Sequence, residues 1–401
     1  MTKSRVFPAC AIALGLIAAG CSSAASSQAA STAPPATPAT SARPATPSPS
    51  ATLASCATRV FDHMTQAQRV GQLFLAGLPA QGGPGAELTD AIKQAHLGSV
   101  LFVGDTEAGV SGVRGVTGAV QRLAASNAGV KFFVAANQEG GEIQPLKGPG
   151  FALMPSALAQ GTLPAGELAG DAKIWGRELA AAGVNLNLAP VLDVVPPGTA
   201  AGNAPIGALD REYGDEPGPV ASHGVAFIDG MRAAGVATTA KHFPGLGRVA
   251  GNTDFTANVV DTVTTANDPY LTTYRAAVDA GVPFVMVALA TYTRIDPSHL
   301  AVFSSTIVNG LLRQGMHFNG VIVSDDLGGA AAVAAISPAT RAIDFLEAGG
   351  DMITSQTASA AVVMDEAVLR KAAAGGWFRG VVSDAVMKIL EVKGYYGLLP
   401  C

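Results

Sequence analysis

Eight short apolar segments recur along the chain and alternate with longer amphipathic stretches. They lie at residues 73–78, 98–104, 132–137, 184–194, 236–243, 283–290, 320–326 and 351–355. The stretches between them, such as residues 166–183 and 268–281, have helical periodicity and end in glycine, which suits the left-handed residue that closes many helices. Strands that alternate with helices in this way form a parallel sheet. We therefore predict an α/β fold, a TIM-like (β/α)8 barrel in one domain. A doubly wound open sheet is the alternative, but no G-x-G-x-x-G motif follows the first strand.

Residues 1–20 have the features of an export signal. Lys3 and Arg5 precede an apolar run, residues 6–17, that is too short to span a bilayer as an ordinary helix. The run is followed by the sequence AAGC, which ends at Cys21 and resembles the cleavage and lipidation site of bacterial lipoproteins. We predict that Cys21 is acylated and begins the mature protein. A plain secretory signal that is cut nearby is the alternative.

Residues 21–55 are predicted to form a disordered tether because they consist almost entirely of Ala, Ser, Thr, Pro and Gln. The folded domain is predicted to span residues 56–401, an ordinary size for an α/β barrel. Cys56 and Cys401 stand at its two ends, and an oxidising compartment favours a disulfide between them. Two free thiols are the alternative.

The charge balance excludes several classes of partner. The net charge is −5, only 14% of the residues are charged, and no basic stripe is present, which argues against nucleic acid and anionic lipid. No His, Cys and Asp cluster has the spacing of a zinc site, and the G-x-S-x-G and G-x-x-x-x-G-K-[ST] motifs are missing. We expect a small or neutral substrate and neither a metal nor a cofactor.

Polar side chains follow four of the predicted strands at the points where the strands end. They are Asn137, Gln138 and Glu139, then Asp193, then Lys241 and His242, and finally Ser324, Asp325 and Asp326. The carboxyl ends of barrel strands meet at one face, so we expect these side chains to surround one pocket, although an isolated strand-end Asp often only caps the next helix. Carboxylates beside cationic groups suit glycoside hydrolysis, in which one group attacks the anomeric carbon and another protonates the leaving oxygen.

Six motifs, in this order, resemble those of glycoside hydrolase family 3. They are NQEGGEIQ, NLNLAPVLDV, REYGDEP, KHFPGLG, GVIVSDDL and AGGDM, and the match runs from about residue 64 to the C-terminal helix. The likeness is greatest to the single-domain bacterial β-N-acetylglucosaminidase branch, with its lipoproteins of mycobacterial and actinobacterial type. The resemblance implies a catalytic barrel domain and a sugar substrate.

The same resemblance implies roles for individual residues. The first Asp of the family's SDD segment is the nucleophile that forms a glycosyl-enzyme, and this role falls to Asp325. Lys241, His242 and Arg211 correspond to residues that bind the terminal sugar. Asn137, where the family usually has Asp, is predicted to contact the sugar as well.

The segment after KHFPGLG departs from the family pattern. This branch has a D-S-H triplet whose histidine is the acid/base, whereas this chain has Asn252, Thr253 and Asp254. The other histidines are predicted to lie before the barrel, on helices or in distant connections. We therefore predict that Asp254 is the acid/base, with its pKa raised by a closed apolar pocket. Glu139 or another acid, or the lack of any effective acid, are the alternatives.

The sequence leads to one principal expectation about function. It is a retaining exo-β-N-acetylhexosaminidase that removes terminal N-acetylglucosamine from cell-wall (peptidoglycan) fragments, anchored by lipid alone at the outer face of the cytoplasmic membrane and acting as a monomer. One alternative is a sugar-binding lipoprotein that has lost its acid/base. The other is a β-glucosidase, suggested by Asn137 and by the loss of arginines at residues 142 and 145.

Overall fold

The structure, a computed structural model that describes residues 49–401, contains the predicted barrel of parallel strands. We number the barrel strands in chain order. They are β1 (Phe74–Pro79), β2 (Ser99–Val103), β3 (Phe133–Ala136), β4 (Leu186–Asn187), β5 (Ala237–Phe243), β6 (Phe284–Val287), β7 (Val321–Ser324) and β8 (Ile353–Ser355). The sheet runs β7-β6-β5-β4-β3-β2-β1-β8. A parallel bridge between Val323 and Met352 joins its two edges, so the sheet closes and the TIM-like prediction is confirmed.

All eight strands lie within or next to the predicted segments, but β4 is much shorter than residues 184–194. Pro190 lacks the N–H that a longer ladder needs, and the side chain of Asn187 takes over part of the pairing. Its amide accepts from the Gln138 N–H at 2.9 Å and donates to the Gln138 carbonyl at 2.9 Å. The chain still follows β5, because the Leu192 N–H donates to the Lys241 carbonyl at 2.7 Å. This path brings Asp193 to the carboxyl ends of the barrel strands, beside His242.

Helices cover the outside of the barrel. The α-helices are Pro49–His63, Gln66–Gly71, Gly85–Ala95, Gly109–Gln121, Ala157–Gln160, Ala165–Ala181, Pro217–Ala233, Thr272–Asp279, Pro338–Glu347, Ala358–Ala373 and Trp377–Tyr395, and Thr306–Gly315 is a π-helix. The predicted helix at residues 166–183 is confirmed as Ala165–Ala181, which buries Leu168, Trp175 and Leu179. It packs closely on Pro217–Ala233, since a Cβ at Gly230 would lie 2.4 Å from the Ala169 carbonyl oxygen.

Three short strands form a second sheet that the sequence did not predict. They are Val260–Asp261, Thr291–Tyr292 and Asp296–Leu300. Two of these strands have only two residues, and the third, DPSHL, is polar and has no apolar alternation, which explains the omission. This sheet ties the segments that follow β5 and β6 to each other, since the Thr291 N–H donates to the Val259 carbonyl at 2.9 Å.

The first helix begins at Pro49, before the predicted start of the domain at Cys56. The helix buries Cys56, Ala57 and Val60, whereas residues 53–55 are exposed. The regular structure therefore begins a few residues before the predicted boundary, and the buried part of the helix begins at that boundary. The predicted signal peptide, Cys21 and the rest of the tether lie outside the described residues. Within residues 49–401, we find no helix both long and apolar enough to cross a membrane.

The predicted disulfide joins Cys56 and Cys401, whose Cα atoms are 6.0 Å apart. It closes a loop of almost the whole domain, with a sequence separation of 345 residues. Because such a link restricts the unfolded chain, we expect Cys56→Ser/Cys401→Ser to lower the free energy of unfolding by about 2–5 kcal/mol. Urea unfolding of the variant and of the reduced wild type should give the same loss. Equal stability of the oxidised wild type and the variant would contradict this account.

Lys393 is a fully buried cation beneath the barrel. Its Nζ donates to Gln72 Oε1 at 2.7 Å and to the Gly98 carbonyl at 2.8 Å, and burial lowers its pKa to about 7. Above this pH the unfolded chain binds the extra proton, so we expect stability to rise by up to about 1.4 kcal/mol per pH unit until the ordinary lysine pKa is reached. Urea unfolding at several pH values should show this rise in wild type and in the exposed control Lys131→Met. The rise should be absent in Lys393→Met, and its persistence there would contradict the assignment.

Candidate active site

The six residues that the sequence assigns to catalysis or sugar binding lie together at the carboxyl ends of the barrel strands. They line one pocket of about 260 Å³: Asn137, Arg211, Lys241, His242, Asp254 and Asp325. The strand-end residues belong to alternate strands. Asn137 follows β3, Lys241 and His242 lie near the end of β5, and Asp325 follows β7. Of the histidines in the described chain, His242 alone lines this pocket. The expected convergence of strand ends is therefore present.

Glu139 is the centre of an ion-pair network on one side of the pocket. Arg211 donates to both of its oxygens, from Nε at 2.8 Å and from Nη2 at 2.9 Å, and Lys241 Nζ lies 2.5 Å from Oε1. Burial alone raises the pKa of Glu139, but the charges of Arg211 and Lys241 outweigh it and hold the pKa at about 2. A carboxyl with this pKa is ionised at neutral pH, which argues against Glu139 as the general acid.

The same network fixes the two cations that face the pocket. Burial and the charge of Arg211 lower the pKa of Lys241, while Glu139 opposes that shift. Lys241 Nζ also donates to Asn137 Oδ1 at 2.8 Å, so both predicted sugar ligands are held in one arrangement. The Arg211 guanidinium donates in addition to the Pro205 carbonyl at 2.7 Å. Buried donors in fixed positions suit the recognition of sugar oxygens.

His242 is oriented by Asp193, a strand-end residue for which the motif analysis predicts no specific role. The Asp193 carboxylate contacts His242 Nδ1 at 2.8 Å and accepts from the Leu246 N–H and the Tyr274 hydroxyl, both at 2.8 Å. Burial raises the pKa of Asp193, but His242 and these donors more than offset it, and the pKa lies below its usual value. An ionised Asp193 accepts from Nδ1–H, which leaves Nε2 of His242 for a ligand.

Two consecutive carboxyls follow β7 and differ in their surroundings. The half-buried Asp325 accepts one hydrogen bond from the described part of the chain, from the N–H of the next residue, Asp326, to Oδ1 at 2.9 Å. Asp326 accepts from the backbone N–H groups of Gly328, Gly329 and Gln356, each at 2.9 Å. Asp326 therefore shapes the loop, as its position predicts, and Asp325 is the member of the pair whose oxygens are less committed to the protein.

Asp254 lies on a loop that docks onto the segment following β7. The carbonyls of Thr253 and Asp254 accept from the N–H groups of Ala332 at 3.1 Å and Ala331 at 3.0 Å, and the Asp254 N–H donates to Asn252 Oδ1 at 2.9 Å. Although Asp254 is exposed at the pocket mouth, partial burial and then the negative charge of Asp325 raise its pKa. His242, Arg211 and Lys241 act in the opposite direction and do not cancel the shift.

The structure adds lining residues that the strand-end rule does not identify. Three of them are buried apolar side chains and one is a buried threonine, whereas the fifth is an exposed aromatic ring next to Asp254. These residues are Leu101, Leu188, Met286, Thr354 and Phe255. Side chains inside a strand look like core in a sequence, so only the strand count and the barrel's inward alternation would have pointed to them.

Comparisons with known proteins show which family the chain resembles. The family model described as glycosyl hydrolase family 3 N terminal domain matches residues 65–392. A curated β-hexosaminidase of Xanthomonas campestris pv. campestris (strain B100) is 35% identical over 236 residues, which cover 55% of this chain and 66% of the relative. A β-hexosaminidase of Xylella fastidiosa (strain 9a5c) is 36% identical over 230 residues, with the same coverage of 55% and 66%. The alignment thus spans 66% of the length of these curated relatives.

Two solved structures are similar over most of the chain. A β-N-acetylhexosaminidase from Beutenbergia cavernae DSM 12333 is 48% identical with a TM-score of 0.79, covering 82% of this chain and 99% of that one. A glycoside hydrolase family 3 β-N-acetylglucosaminidase from Paenibacillus sp. str. FPU-7 is 27% identical with a TM-score of 0.75, covering 83% and 63%. Because the family model spans nearly all of the folded domain and includes every strand end that lines the pocket, the chain belongs to glycosyl hydrolase family 3.

Proposed function

We propose that this protein is a retaining exo-β-N-acetylhexosaminidase that releases terminal N-acetylglucosamine through a glycosyl-enzyme intermediate. One observation carries the proposal: Asp325 and Asp254 line the same pocket, and the charge of Asp325 contributes to the raised pKa of Asp254. Two carboxyls in different protonation states are what glycoside hydrolysis requires. The names of the similar proteins support the choice of N-acetylhexosaminide as the substrate.

The proposed reaction has two steps. In the first, a carboxylate oxygen of Asp325 attacks the anomeric carbon, the bond to the leaving oxygen breaks, and protonated Asp254 gives its proton to that oxygen. In the second, Asp254 takes a proton from water, the water oxygen bonds to the anomeric carbon, and the Asp325 ester bond breaks. Lys241, Arg211 and Asn137 hold the sugar hydroxyls during both steps.

Water is the proposed acceptor, rather than phosphate. After the first step Asp254 is a carboxylate, which repels an incoming phosphate anion, whereas a neutral imidazole in its place would not. The nearby cations do not offset this repulsion fully, because Arg211 and Lys241 are already paired with Glu139. The site therefore favours hydrolysis over phosphorolysis.

We propose that the enzyme is exported and held by a lipid on Cys21 at the outer face of the cytoplasmic membrane, where peptidoglycan fragments are its substrates. The disulfide between Cys56 and Cys401 supports an oxidising compartment. Fractionation of cells that express wild type or Cys21→Ala tests the anchor. Wild type should enter the detergent phase and the variant should be released. Equal partition of the two proteins would contradict the anchor without affecting the enzymatic proposal.

Matched substrates test the activity. We expect kcat/KM for an aryl β-N-acetylglucosaminide to exceed that for the aryl β-glucoside with the same leaving group, and NMR should show the β-anomer as the first product. Peptidoglycan fragments with a terminal N-acetylglucosamine should lose that sugar. Preference for the glucoside would favour a β-glucosidase, binding of N-acetylglucosamine without turnover would favour a sugar-binding protein, and an α-anomer as first product would exclude retention.

A further inference from the structure

Four almost fully buried residues that line the pocket come from alternate barrel strands or directly follow one. β2 supplies Leu101, β6 supplies Met286, β8 supplies Thr354, and Leu188 follows directly after β4. We call these four residues the pocket floor. Layers of four side chains from alternate strands are a general feature of such barrels. Three floor residues are apolar, so the Thr354 hydroxyl is the floor's single side-chain hydrogen-bonding group.

That hydroxyl is buried and has no partner among the described residues. Thr354 is 2% exposed, and Oγ1 makes no hydrogen bond to any protein group in residues 49–401. Its backbone is satisfied, because its N–H donates to Ser324 Oγ at 3.0 Å and its carbonyl accepts from the Leu327 N–H at 2.9 Å. An unpaired buried hydroxyl is unfavourable, and a ligand group that paired with it would remove that cost.

Thr354 differs from Thr239, which also has an unpaired hydroxyl, in its location relative to the pocket. Thr239 on β5 is also fully buried, and its Oγ1 likewise lacks a partner among the described residues. Thr239 does not line the pocket, whereas Thr354 does. Thr354 also lies on β8, whose neighbour across the barrel closure, β7, leads directly into Asp325. Thr354 and Asp325 therefore line the same pocket beside the closure of the barrel.

We propose that the Thr354 hydroxyl forms a hydrogen bond with one polar substituent, a hydroxyl or the acetamido group, of the terminal sugar, and so contributes to substrate specificity. This inference rests on the proposed glycosidase function. A sugar without that substituent loses this hydrogen bond, and a protein without the Thr354 hydroxyl loses the same bond. Removing the sugar substituent and removing the Thr354 hydroxyl abolish the same hydrogen bond, so their effects on kcat/KM are not additive.

Three variants and a set of substrate analogues test the inference. Thr354→Val keeps the shape and removes the hydroxyl, Thr354→Ser keeps the hydroxyl, and Thr239→Val removes an unpaired hydroxyl outside the pocket. We expect Thr354→Val to lower kcat/KM for an aryl N-acetylglucosaminide about tenfold, while Thr354→Ser and Thr239→Val stay within about threefold of wild type. Thermal unfolding verifies that each variant folds.

The analogues each lack one substituent of the terminal sugar: the 3-, 4- or 6-hydroxyl, or the acetamido group. For the substituent that Thr354 contacts, wild type and Thr354→Val should process the deficient analogue with equal kcat/KM. Unchanged kcat/KM in Thr354→Val, an equal loss in Thr239→Val, or no analogue that equalises the two proteins would overturn the inference. Failure of the proposed function is a separate result, because wild type itself would then not turn over any of these substrates.

Discussion

Replacing Asp325 with asparagine is expected to lower kcat on N-acetylglucosaminides by on the order of ten-thousandfold or more. The amide is almost isosteric with the carboxylate but does not attack the anomeric carbon. The proposed covalent intermediate then no longer forms, whereas the ion-pair network around Glu139, which we propose positions the sugar-binding residues, stays in place. KM should therefore change far less than kcat, which steady-state kinetics on an aryl substrate measures directly.

Asp326→Asn is the matched control for this experiment. It makes the same chemical change one residue later, at a carboxyl that accepts three backbone N–H groups. We expect it to reduce the free energy of unfolding and to affect kcat by much less than Asp325→Asn. A folded Asp325→Asn protein with more than about one hundredth of wild-type kcat, or equal kcat losses in the two variants, would contradict the nucleophile assignment.

Replacing Asp254 with alanine is expected to produce a loss that depends on the leaving group. For a poor leaving group, such as the next sugar of a glycan, the first step needs the proton, and kcat/KM should fall about 10²–10⁴-fold. For a dinitrophenyl leaving group, which departs without protonation, kcat/KM should stay within about tenfold of wild type. Kinetics on a series of aryl substrates gives this dependence as a slope against leaving-group pKa.

Two further measurements separate an acid/base role from general damage to the pocket. Azide should accelerate turnover of the dinitrophenyl substrate by Asp254→Ala and yield the β-glycosyl azide, because the small anion replaces water without needing a base. The wild-type pH profile should lose activity as pH rises through the raised pKa of Asp254, since the acid acts in its protonated form. An equal loss for good and poor leaving groups, with no azide product, would assign the proton to another group.

The fold was predictable because one unit, an apolar strand followed by an amphipathic helix, repeats along the chain. Eight apolar runs with helices between them match a closed barrel, and the disulfide followed from two cysteines at the ends of one domain. Strand lengths were less predictable, as β4 shows. There Pro190 and the side chain of Asn187 decide where regular pairing stops, which an apolar run does not reveal.

The site was predictable as a set of strand ends but not as a network. The order of residues places Lys241, Asp325 and Asn137 at one face, yet nothing in the sequence shows that Glu139 pairs with both Arg211 and Lys241. Nor does it show that the Thr354 hydroxyl has no hydrogen-bond partner within residues 49–401. These hydrogen bonds join residues that are far apart in the chain, and whether they form depends on differences of a few tenths of an ångström in the distances between the residues. They decide which carboxyl is ionised and which donor is free.

Trapping the glycosyl-enzyme tests the central claim most directly. A 5-fluoro-N-acetylglucosaminyl fluoride keeps the acetamido group, and its anomeric fluoride is a good leaving group, so the glycosyl-enzyme forms. The fluorine at C5 destabilises the oxocarbenium-like transition state and slows the second step, so the glycosyl-enzyme accumulates. Mass spectrometry of the incubated protein should show one added fluorinated sugar, located by peptide analysis on Asp325 and missing from Asp325→Asn. A protein that turns over N-acetylglucosaminides but carries no adduct, or carries it on another residue such as Asp254, would contradict the account.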